Sequence, residues 1–322
     1  MEFYQKQRVV VTGGQGFLAP HLARALVAMG AEVILLGRRP LKKPLGEGIR
    51  YLQVDLQNRR AAQAAFQGAD ALFHLAAVGW GFYENLRRQP ELLTENLLLN
   101  TTVIDAAWRA GVSRMLFTSS AAVYGGSHEI MDDESPLMDE PHGVDALFGW
   151  AKRMGELQAQ AYHRQHAWPV AIVRPFNPYG PGDDLNPERS HVIPALLCRV
   201  LAGESPLQVW GSGRTVRSFI YAEDVVRGML AALERATDAE PINLGSPELT
   251  SVAELVDKVL KACGREGTPV IFDASKPDGA PRRVPTLRRA EERLGLRDYV
   301  DLETGLTRTA AWIREALGEV VK

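Results

Sequence analysis

The fold is decided by the stretch Val9-Val10-Val11-Thr12-Gly13-Gly14-Gln15-Gly16-Phe17-Leu18-Ala19. Its β-branched beginning at 9–11 is typical of a short buried strand. Apolar residues then recur at helical spacing from Leu18 to Met29, and Gly30 supplies a stop signal. The stretch therefore predicts a strand that turns through glycines into a helix.

The glycines of this turn indicate a phosphate-binding site. Gly13 allows a sharp turn, Gly16 lets the backbone approach a pyrophosphate, and Ala19 allows the helix to pack closely on the strand. The start of the helix offers unpaired N–H groups and a partial positive charge to phosphate oxygens. A turn with only a structural role is the alternative, but the flanking strand and helix are the context that a dinucleotide site requires. We expect Phe17 and Leu18 to contact the same ligand.

Composition and charge exclude several classes of protein. The chain has 322 residues, 46% of them hydrophobic and 24% charged, so it can bury a large core. Its formal net charge of -2 gives no basic field, and nucleic acid is not expected as a partner. Cys198 and Cys263 stand far apart, which predicts neither a disulfide framework nor a metal site. No run approaches the 18 or so apolar residues of a membrane span, so we expect a cytoplasmic protein with no membrane partner.

Short apolar runs alternate with helical segments over the first half of the chain. Strands are predicted at 9–11, 31–36, 51–54, 71–75, 115–118 and 170–173, and helices at 59–66, 92–110, 149–166, 251–263 and 301–317. This alternation favours an α/β fold, a Rossmann doubly wound parallel sheet with a smaller C-terminal α/β lobe. We assign 1–174 to the dinucleotide-binding domain, with 217–244 returning to it. The substrate-binding lobe then comprises 175–216 and 245–322.

Two stretches are rich in proline and glycine and are predicted to be irregular. The first is 174–217, which we interpret as loop-rich substrate-binding structure, and the second is 269–285.

Several motifs together resemble the extended short-chain dehydrogenases/reductases of the nucleotide-sugar branch, the NAD-dependent epimerase/dehydratase family. The motifs are Val11–Ala19, Asp55-Leu56, His74-Leu75-Ala76-Ala77, Ser119-Ser120-Ala121-Ala122-Val123-Tyr124-Gly125, Phe148-Gly149-Trp150-Ala151-Lys152 and Arg174-Pro175-Phe176-Asn177-Pro178-Tyr179-Gly180-Pro181-Gly182. Within that branch the likeness is to the GDP-L-fucose synthase and GDP-mannose epimerase groups. It is carried by Asn186–Leu196, Val209-Trp210-Gly211-Ser212-Gly213 and Ser275–Arg282.

The resemblance implies a catalytic set of serine, tyrosine and lysine. The tyrosine carries the proton, the lysine lowers the tyrosine pKa and holds the nicotinamide ribose, and the serine hydrogen-bonds the substrate oxygen. Ser120 stands at the serine position and Lys152 at the lysine position. Phe148 occupies the tyrosine position, four residues before Lys152 and on the same helix face.

Phe148 predicts impaired activity, because a benzene ring has no proton to exchange. One explanation is an engineered change from tyrosine that traps a complex, which the ring-preserving residue and intact surroundings favour. The other is a natural variant that uses another proton carrier.

A second departure concerns epimerisation. The resemblance implies that fucose synthases exchange protons through a cysteine two residues after the catalytic serine and a histidine in the Ser-His-Val-Ile-Pro-Ala-Leu segment. This sequence has Ala122 and His191 at those positions. A double 3,5-epimerisation is therefore not expected. His191 could serve a single-centre epimerisation, orient the sugar, or be a loop histidine that bonds a backbone carbonyl.

The end of the second strand bears on the choice of cofactor. It carries Arg38 and Arg39 where NAD enzymes place a carboxylate, and an arginine can pair with a 2′-phosphate. We expect NADP rather than NAD. Alternatively, both arginines are solvated charges that form a basic patch with Lys42 and Lys43.

Other cofactor positions follow from the resemblance. Asp55 is expected to accept a hydrogen bond from adenine, or else to cap a helix. Leu56, Leu75, Ala76 and Ala77 line the dinucleotide.

The sugar nucleotide has its own candidate residues. Arg199 and Arg217 correspond to positions that hold the diphosphate in the fucose synthase branch, and a planar guanidinium suits that role. Asn177 resembles the asparagine that binds the sugar diphosphate, with a turn-forming role as its alternative. Ser120 and His191 complete the predicted substrate site.

Three functions remain open from the sequence. The preferred one is an NADP-linked nucleotide-sugar reductase or epimerase acting at or next to C4, and its expected substrate is a GDP-linked hexose or the 4-keto-6-deoxy derivative of one. A C4 epimerase that retains its cofactor and a catalytically silent dinucleotide-binding regulator are the alternatives. A 4,6-dehydratase is disfavoured because Ala121-Ala122 follows Ser120. We expect a homodimer formed through the helices at 92–110 and 149–166.

Overall fold

A computed structural model describes residues 2–41, 45–80, 82–126, 130–186, 189–276 and 282–320 of the chain. The strands are β1 Arg8–Thr12, β2 Glu32–Gly37, β3 Ile49–Gln53, β4 Ala71–His74, β5 Arg114–Thr118, β6 Ile130–Met131, β7 Val170–Pro175, β8 Pro178–Tyr179, β9 Leu207–Trp210, β10 Val216–Ser218, β11 Ile220–Tyr221, β12 Asp238–Leu244, β13 Leu249–Ser251, β14 Val270–Asp273 and β15 Arg282–Pro285. The helices are α1 Ala19–Ala28, α2 Arg59–Phe66, α3 Phe82–Arg87, α4 Gln89–Arg109, α5 Ala146–His166, α6 Val192–Leu201, α7 Ala222–Arg235, α8 Val252–Cys263 and α9 Leu302–Val320.

Seven parallel strands form the main sheet, in the order β12-β7-β5-β4-β1-β2-β3. The order reverses direction at β1, which places the carboxyl ends of β1 and β4 side by side. Ligands of open α/β sheets bind at such a switch point. The α/β Rossmann prediction is confirmed, and every strand predicted from 9 to 173 is present within about two residues of its expected bounds.

Apolar side chains cover both faces of this sheet. One face packs against α1 and α7, and the other packs against α2, α4 and α5. A third apolar cluster joins α6, α8 and α9. Because alternate residues of the central strands point to opposite faces, the strands are buried on both sides and read as continuous apolar runs.

Both stretches predicted to be irregular contain regular structure. The 174–217 segment contains α6 and β9, and the 269–285 segment contains β14 and β15. β14 pairs with β9, while β10 pairs with β13 and β15. Each of these strands has at most four residues, and its partner is distant in sequence, so local periodicity cannot reveal it.

β12 is an edge strand of the main sheet, although it follows the predicted substrate-binding insertion. The proposed domain boundaries stay a prediction. Lys42, Lys43, residues 187–188 and residues 277–281 of the quoted motifs lie outside the described residues. Across the described ranges, no helix combines the length and apolarity needed to cross a membrane.

Candidate active site

The turn after β1 meets the loop after β4. Gly13 has a φ of +76°, and a Cβ there would lie 2.9 Å from the backbone nitrogen of Ala76. The Gly16 N–H donates to the Gly13 carbonyl at 2.7 Å, which closes the turn. A side chain at Gly13 would fill the space between the two loops and strain the backbone. This glycine-lined cradle fits a dinucleotide, whose pyrophosphate requires close approach of the backbone.

A buried hydrogen-bond network supports this cradle. The Ala76 N–H donates to Thr12 Oγ1 at 3.0 Å, and Thr12 Oγ1 lies 2.8 Å from His74 Nδ1. His74 Nε2 then donates to Asn100 Oδ1 at 3.1 Å, and Asn100 Nδ2 donates to the Ala151 carbonyl at 3.2 Å. The network thus connects the cofactor turn with α5.

His74 is neutral in this network. Burial, together with the charge of Lys152, lowers the pKa of His74 to about 3. Sequence reasoning quoted His74 within a motif but gave it no role. Its position directly at the end of a buried strand is the signal that could have identified it.

The rest of the β4 loop is held by two buried asparagines. Val78 exchanges hydrogen bonds with Asn96, at 2.9 Å through Asn96 Oδ1 and at 2.7 Å through Asn96 Nδ2. The Trp80 N–H donates to Asn85 Oδ1 at 3.0 Å, and Asn85 Nδ2 donates to Asp145 Oδ1 at 2.9 Å. Asn85 therefore joins this loop to Asp145, the residue that precedes α5.

The end of β2 is open to solvent. The Arg38 side chain is 66% exposed and lies 3.8 Å from Glu95, and Arg39 is also exposed. The Arg38 carbonyl accepts a hydrogen bond from Gln53 at 3.1 Å, and the Arg39 carbonyl accepts one from Tyr51. The backbone is therefore anchored while both guanidinium groups face outward.

Asp55 follows β3 and is exposed, whereas Leu56 is buried. Asp55 Oδ1 accepts a hydrogen bond from the Gln57 N–H at 3.0 Å. The residue that caps α2 is Asn58, whose side chain accepts from Ala61 at 3.1 Å. The helix-cap alternative for Asp55 is thus wrong, because three residues of turn separate it from the helix.

α5 brings Lys152 under the end of β5. The Lys152 side chain is buried, and its Nζ donates to the Thr118 carbonyl at 2.7 Å. Nζ lies 5.4 Å from the ring centroid of Phe148 and 5.1 Å from that of Phe117. Burial lowers the pKa of Lys152 to about 8, against the opposing charge of Glu156.

Glycines in α5 allow this close packing. A Cβ at Gly149 would lie 2.1 Å from the Ala122 carbonyl oxygen, and one at Gly155 would lie 2.3 Å from the Phe117 ring. Ser120 precedes the 3₁₀ turn Ala121–Val123, and its Oγ accepts from the Ala122 N–H at 3.1 Å. Ser120, Phe148 and Lys152 therefore belong to one tightly packed unit of β5, this turn and α5.

A buried ion pair lies one helical turn beyond Lys152. Arg174 contacts Glu156 through two hydrogen bonds, of 2.8 Å from Nε and 2.6 Å from Nη2. Glu156 also accepts from the Ser119 hydroxyl, and Arg174 Nη1 donates to Tyr124 at 2.9 Å. The pair holds the residue next to Ser120. Sequence analysis did not assign Glu156 a role.

His191 lies immediately before α6, and its side chain is 64% exposed. Its Nδ1 lies 3.4 Å from Oδ2 of Asp183, whose side chain is only 5% exposed. Desolvation lowers the pKa of His191, but the hydrogen bond and charge of Asp183 outweigh it, so the pKa is raised above its ordinary value. Asp183 was not predicted as a site residue.

Asn177 and Arg217, two candidate substrate-binding residues, lie close to each other at β10. Asn177 has a φ of +40°, and its Nδ2 donates to the Ser218 carbonyl at 2.8 Å. Arg217 lies next to Ser218 and aligns with Arg283 of β15. Arg283 in turn lies 3.8 Å from Asp145, so these strands face the start of α5.

Arg199 has intramolecular partners. Its Nε lies 2.7 Å from a carboxylate oxygen of Glu204, and its Nη2 donates to the Gln208 carbonyl. Its role at a diphosphate stays a prediction, and this ion pair would have to open for Arg199 to bind one.

A family model, described as the NAD dependent epimerase/dehydratase family, matches residues 9–245. The chain belongs to this family.

Family relatives match nearly the whole chain. A dTDP-4-dehydro-6-deoxy-D-allose reductase of Streptomyces bikiniensis is 33% identical over 320 residues, with 95% of this chain and 96% of the relative covered. A GDP-L-fucose synthase of Escherichia coli K12 is 30% identical over 332 residues, with 96% and 97% covered. A solved dTDP-glucose 4,6-dehydratase from Streptomyces venezuelae, with NAD bound, has a TM-score of 0.84 and 27% identity, covering 98% of this chain and 100% of that one.

In this member of the epimerase/dehydratase family, the packed unit contains Ser120, Phe148 and Lys152, the residues that the sequence resemblance predicts at the serine, tyrosine and lysine positions. The family consists of NAD(P)-dependent nucleotide-sugar reductases, epimerases and dehydratases. Ser120 and Lys152 pack in one unit with Phe148, whose ring carries no hydroxyl.

Proposed function

We propose that the protein is an NADP-linked reductase or epimerase acting at or next to C4 of a nucleoside-diphosphate hexose, with reduction of a 4-keto-6-deoxy sugar as its first activity. The observation that carries this proposal is the packed unit of Ser120, Phe148 and Lys152 next to the glycine cradle. The relatives named as a deoxyallose reductase and a fucose synthase support the same substrate class.

In the proposed reduction, the residues of the site have separate roles. A bound reduced dinucleotide would supply hydride to the sugar carbonyl carbon. Ser120 would donate its hydroxyl proton in a hydrogen bond to the carbonyl oxygen while accepting from Ala122. Lys152 would hold the nicotinamide ribose.

Ala122 favours reduction without a double epimerisation. Proton exchange at two sugar carbons needs two acid–base groups, and the methyl group of Ala122 provides none. The cysteine–histidine pair of fucose synthases is therefore incomplete, with only His191 present. A single-centre epimerisation remains compatible with this arrangement.

For the cofactor we propose NADP. Arg38 and Arg39 are exposed at the end of β2, where a 2′-phosphate would lie, and a guanidinium suits that group. The Asp55 side chain is exposed, and we propose that its carboxylate contacts adenine.

The sugar nucleotide is proposed to lie between α5 and the β10–β15 strands. Asn177 and Arg217 would bind its diphosphate, and we propose a GDP-linked sugar as the first substrate. Arg199 would join them once released from Glu204.

The test is turnover of NADPH and NADH with 4-keto-6-deoxy sugars linked to GDP, dTDP, UDP and CDP. Consumption of one cofactor per product supports the reductase. Isomerised product without net cofactor oxidation would instead establish the epimerase. Binding of cofactor with rejection of every sugar nucleotide, also after Phe148→Tyr, would contradict both and favour a silent regulator, the function that Phe148 itself suggests.

We also propose a homodimer through α4 and α5. Leu98, Trp150, Met154 and Leu157 are exposed apolar side chains on these two helices. On α5 their spacing of four and three residues forms a stripe of the kind that packs in helical bundles. Leu157→Glu should shift the mass in light scattering from dimer to monomer, whereas Gln160→Glu, one turn away, should not. A parent chain that is monomeric at micromolar concentration would contradict the dimer.

A further inference from the structure

Reduction of a sugar ketone needs a proton as well as a hydride. The Phe148 ring has none to give. Lys152 Nζ is buried and directed at the Thr118 carbonyl. A different acid would therefore supply the proton if this chain turns over.

Asp183 and His191 have the geometry of an acid–base dyad. His191 Nδ1 lies 3.4 Å from the buried Asp183 carboxylate, whose other oxygen accepts from the Asp184 N–H at 2.8 Å. A hydrogen bond of this length can tighten when ligand binds. Because Nδ1 is directed at Asp183, the opposite nitrogen, Nε2, lies on the far edge of a ring that is mostly exposed.

The dyad lies beside the cofactor turn and within electrostatic range of Asp145 at the start of α5. His21 Nε2 donates to the Pro181 carbonyl at 2.6 Å, and a Cβ at Gly182 would lie 3.8 Å from the Phe17 carbonyl oxygen. Asp183 follows directly. On the other side, the charge of Asp145 acts on His191, and Asp145 lies three residues before Phe148.

We propose that His191 is the proton donor of this chain, in place of the phenol absent at position 148, and that Asp183 is its positioning residue. This inference rests on the proposed function. Hydride adds to the carbonyl carbon, the π electrons of the C=O bond move to oxygen, and His191 Nε2 transfers its proton to that oxygen. The products are an alcohol, an oxidised dinucleotide and a neutral imidazole, which water reprotonates.

Electrostatics agree with an acid role. Asp183, Asp145 and Asp184 all raise the pKa of His191, and Arg189 partly neutralises Asp184 from 3.4 Å. A raised pKa keeps more of the ring protonated near neutral pH. Reduction should therefore slow as pH rises through the pKa of His191.

The test is His191→Gln in two backgrounds, the parent chain and Phe148→Tyr, with single-turnover reduction of the 4-keto-6-deoxy sugar as the readout. We expect a loss of about 10²-fold in the parent and less than about threefold in Phe148→Tyr, where a phenol again supplies the proton. His166→Gln, an exposed histidine at the end of α5, is the control and should leave both backgrounds unchanged.

A second measurement needs no turnover. Histidine-selective ¹⁵N NMR of the protein without ligands should show a His191 pKa above its ordinary value, and Asp183→Asn should lower it. Equal losses in both backgrounds, or no loss in the parent while Phe148→Tyr is active, would overturn the inference but leave the proposed function standing. If neither background reduces any sugar, the proposed function fails and the dyad role falls with it.

Discussion

The buried and exposed halves of the site differ in what fixes their side chains. In the buried half, Lys152 contacts the Thr118 carbonyl and His74 contacts Thr12, and burial lowers the pKa of both. In the exposed half, Arg38 and His191 face solvent, and a neighbouring carboxylate raises the pKa of His191.

This difference indicates a division of roles. Groups without water contact keep one geometry whether or not ligand is present, because an unpaired buried polar group is costly. Exposed groups such as Arg38 and His191 have a carboxylate neighbour and can also contact a ligand, because they face solvent. We infer that the buried half holds the reaction geometry fixed, whereas the exposed half selects the cofactor and sugar and, through His191, supplies the proton.

Phe148→Tyr should give the largest effect. The substitution restores an exchangeable proton beside Lys152, and a positioned acid contributes about 10²–10⁴-fold to rate. Because His191 is proposed to supply about 10²-fold of this already, turnover of the keto sugar should rise by up to about 10²-fold over the parent. Trp150→Tyr, two residues away on an outward-facing position, is the matched control and should not raise turnover. An unchanged rate for Phe148→Tyr would show that the phenol is not what limits this chain.

Glu156→Gln should destabilise the folded protein through the buried half of the site. It leaves the buried charge of Arg174 without a compensating carboxylate, which costs about 3–5 kcal/mol of the free energy of unfolding. Urea unfolding would measure this loss. The exposed pair Glu32 and Arg50, 3.4 Å apart, is the comparison, and Glu32→Gln should hardly move the midpoint. Equal effects at the two sites would contradict the role given to burial.

The two halves also differ in how far the sequence predicts them. Ser120 and Lys152 lie in contiguous motifs, so their place at the end of β5 and on α5 follows from strand and helix patterns. Glu156 meets Ser119 across 37 residues of sequence, and Thr12 meets His74 across 62. Such contacts depend on the order of strands in the sheet, which local periodicity does not encode.

In the exposed half, the sequence predicted the functional residues but not the residues that they contact. His191 was found from its motif, but its partner Asp183 lies in a proline- and glycine-rich segment with no periodicity. Arg199 carries the expected residue type, yet its ion pair with Glu204 depends on how α6 ends. Residue types were predictable here, whereas the partners required the structure.

The free energy of unfolding should depend on pH because of Lys152. Its folded pKa of about 8 lies below the ordinary value of 10.5, so between these two values the unfolded chain holds a proton that the folded chain has lost. The free energy of unfolding contributed by Lys152 therefore rises with pH across that window. Lys152→Met should remove this rise, measured as the difference in urea unfolding between the parent and the variant at the two ends of the window. If the free energy of unfolding rises equally with pH in both proteins, Lys152 does not have a lowered pKa in the folded chain.

The smallest expected effect lies at the exposed end of β2. Removing a charge-assisted contact to a 2′-phosphate costs about 1.5–3 kcal/mol, so Arg38→Ala or Arg39→Ala should lower the preference for NADP over NAD by about tenfold or more. Calorimetric titration of both cofactors measures the ratio directly. Arg50→Ala removes an exposed arginine of the neighbouring strand and should leave the ratio unchanged. Because Glu95 lies 3.8 Å from Arg38, Glu95→Gln should strengthen NADP binding slightly if Arg38 reaches the phosphate, since the guanidinium then has no competing carboxylate. If neither arginine variant changes the ratio, both are solvated surface charges and the exposed half does not select the cofactor.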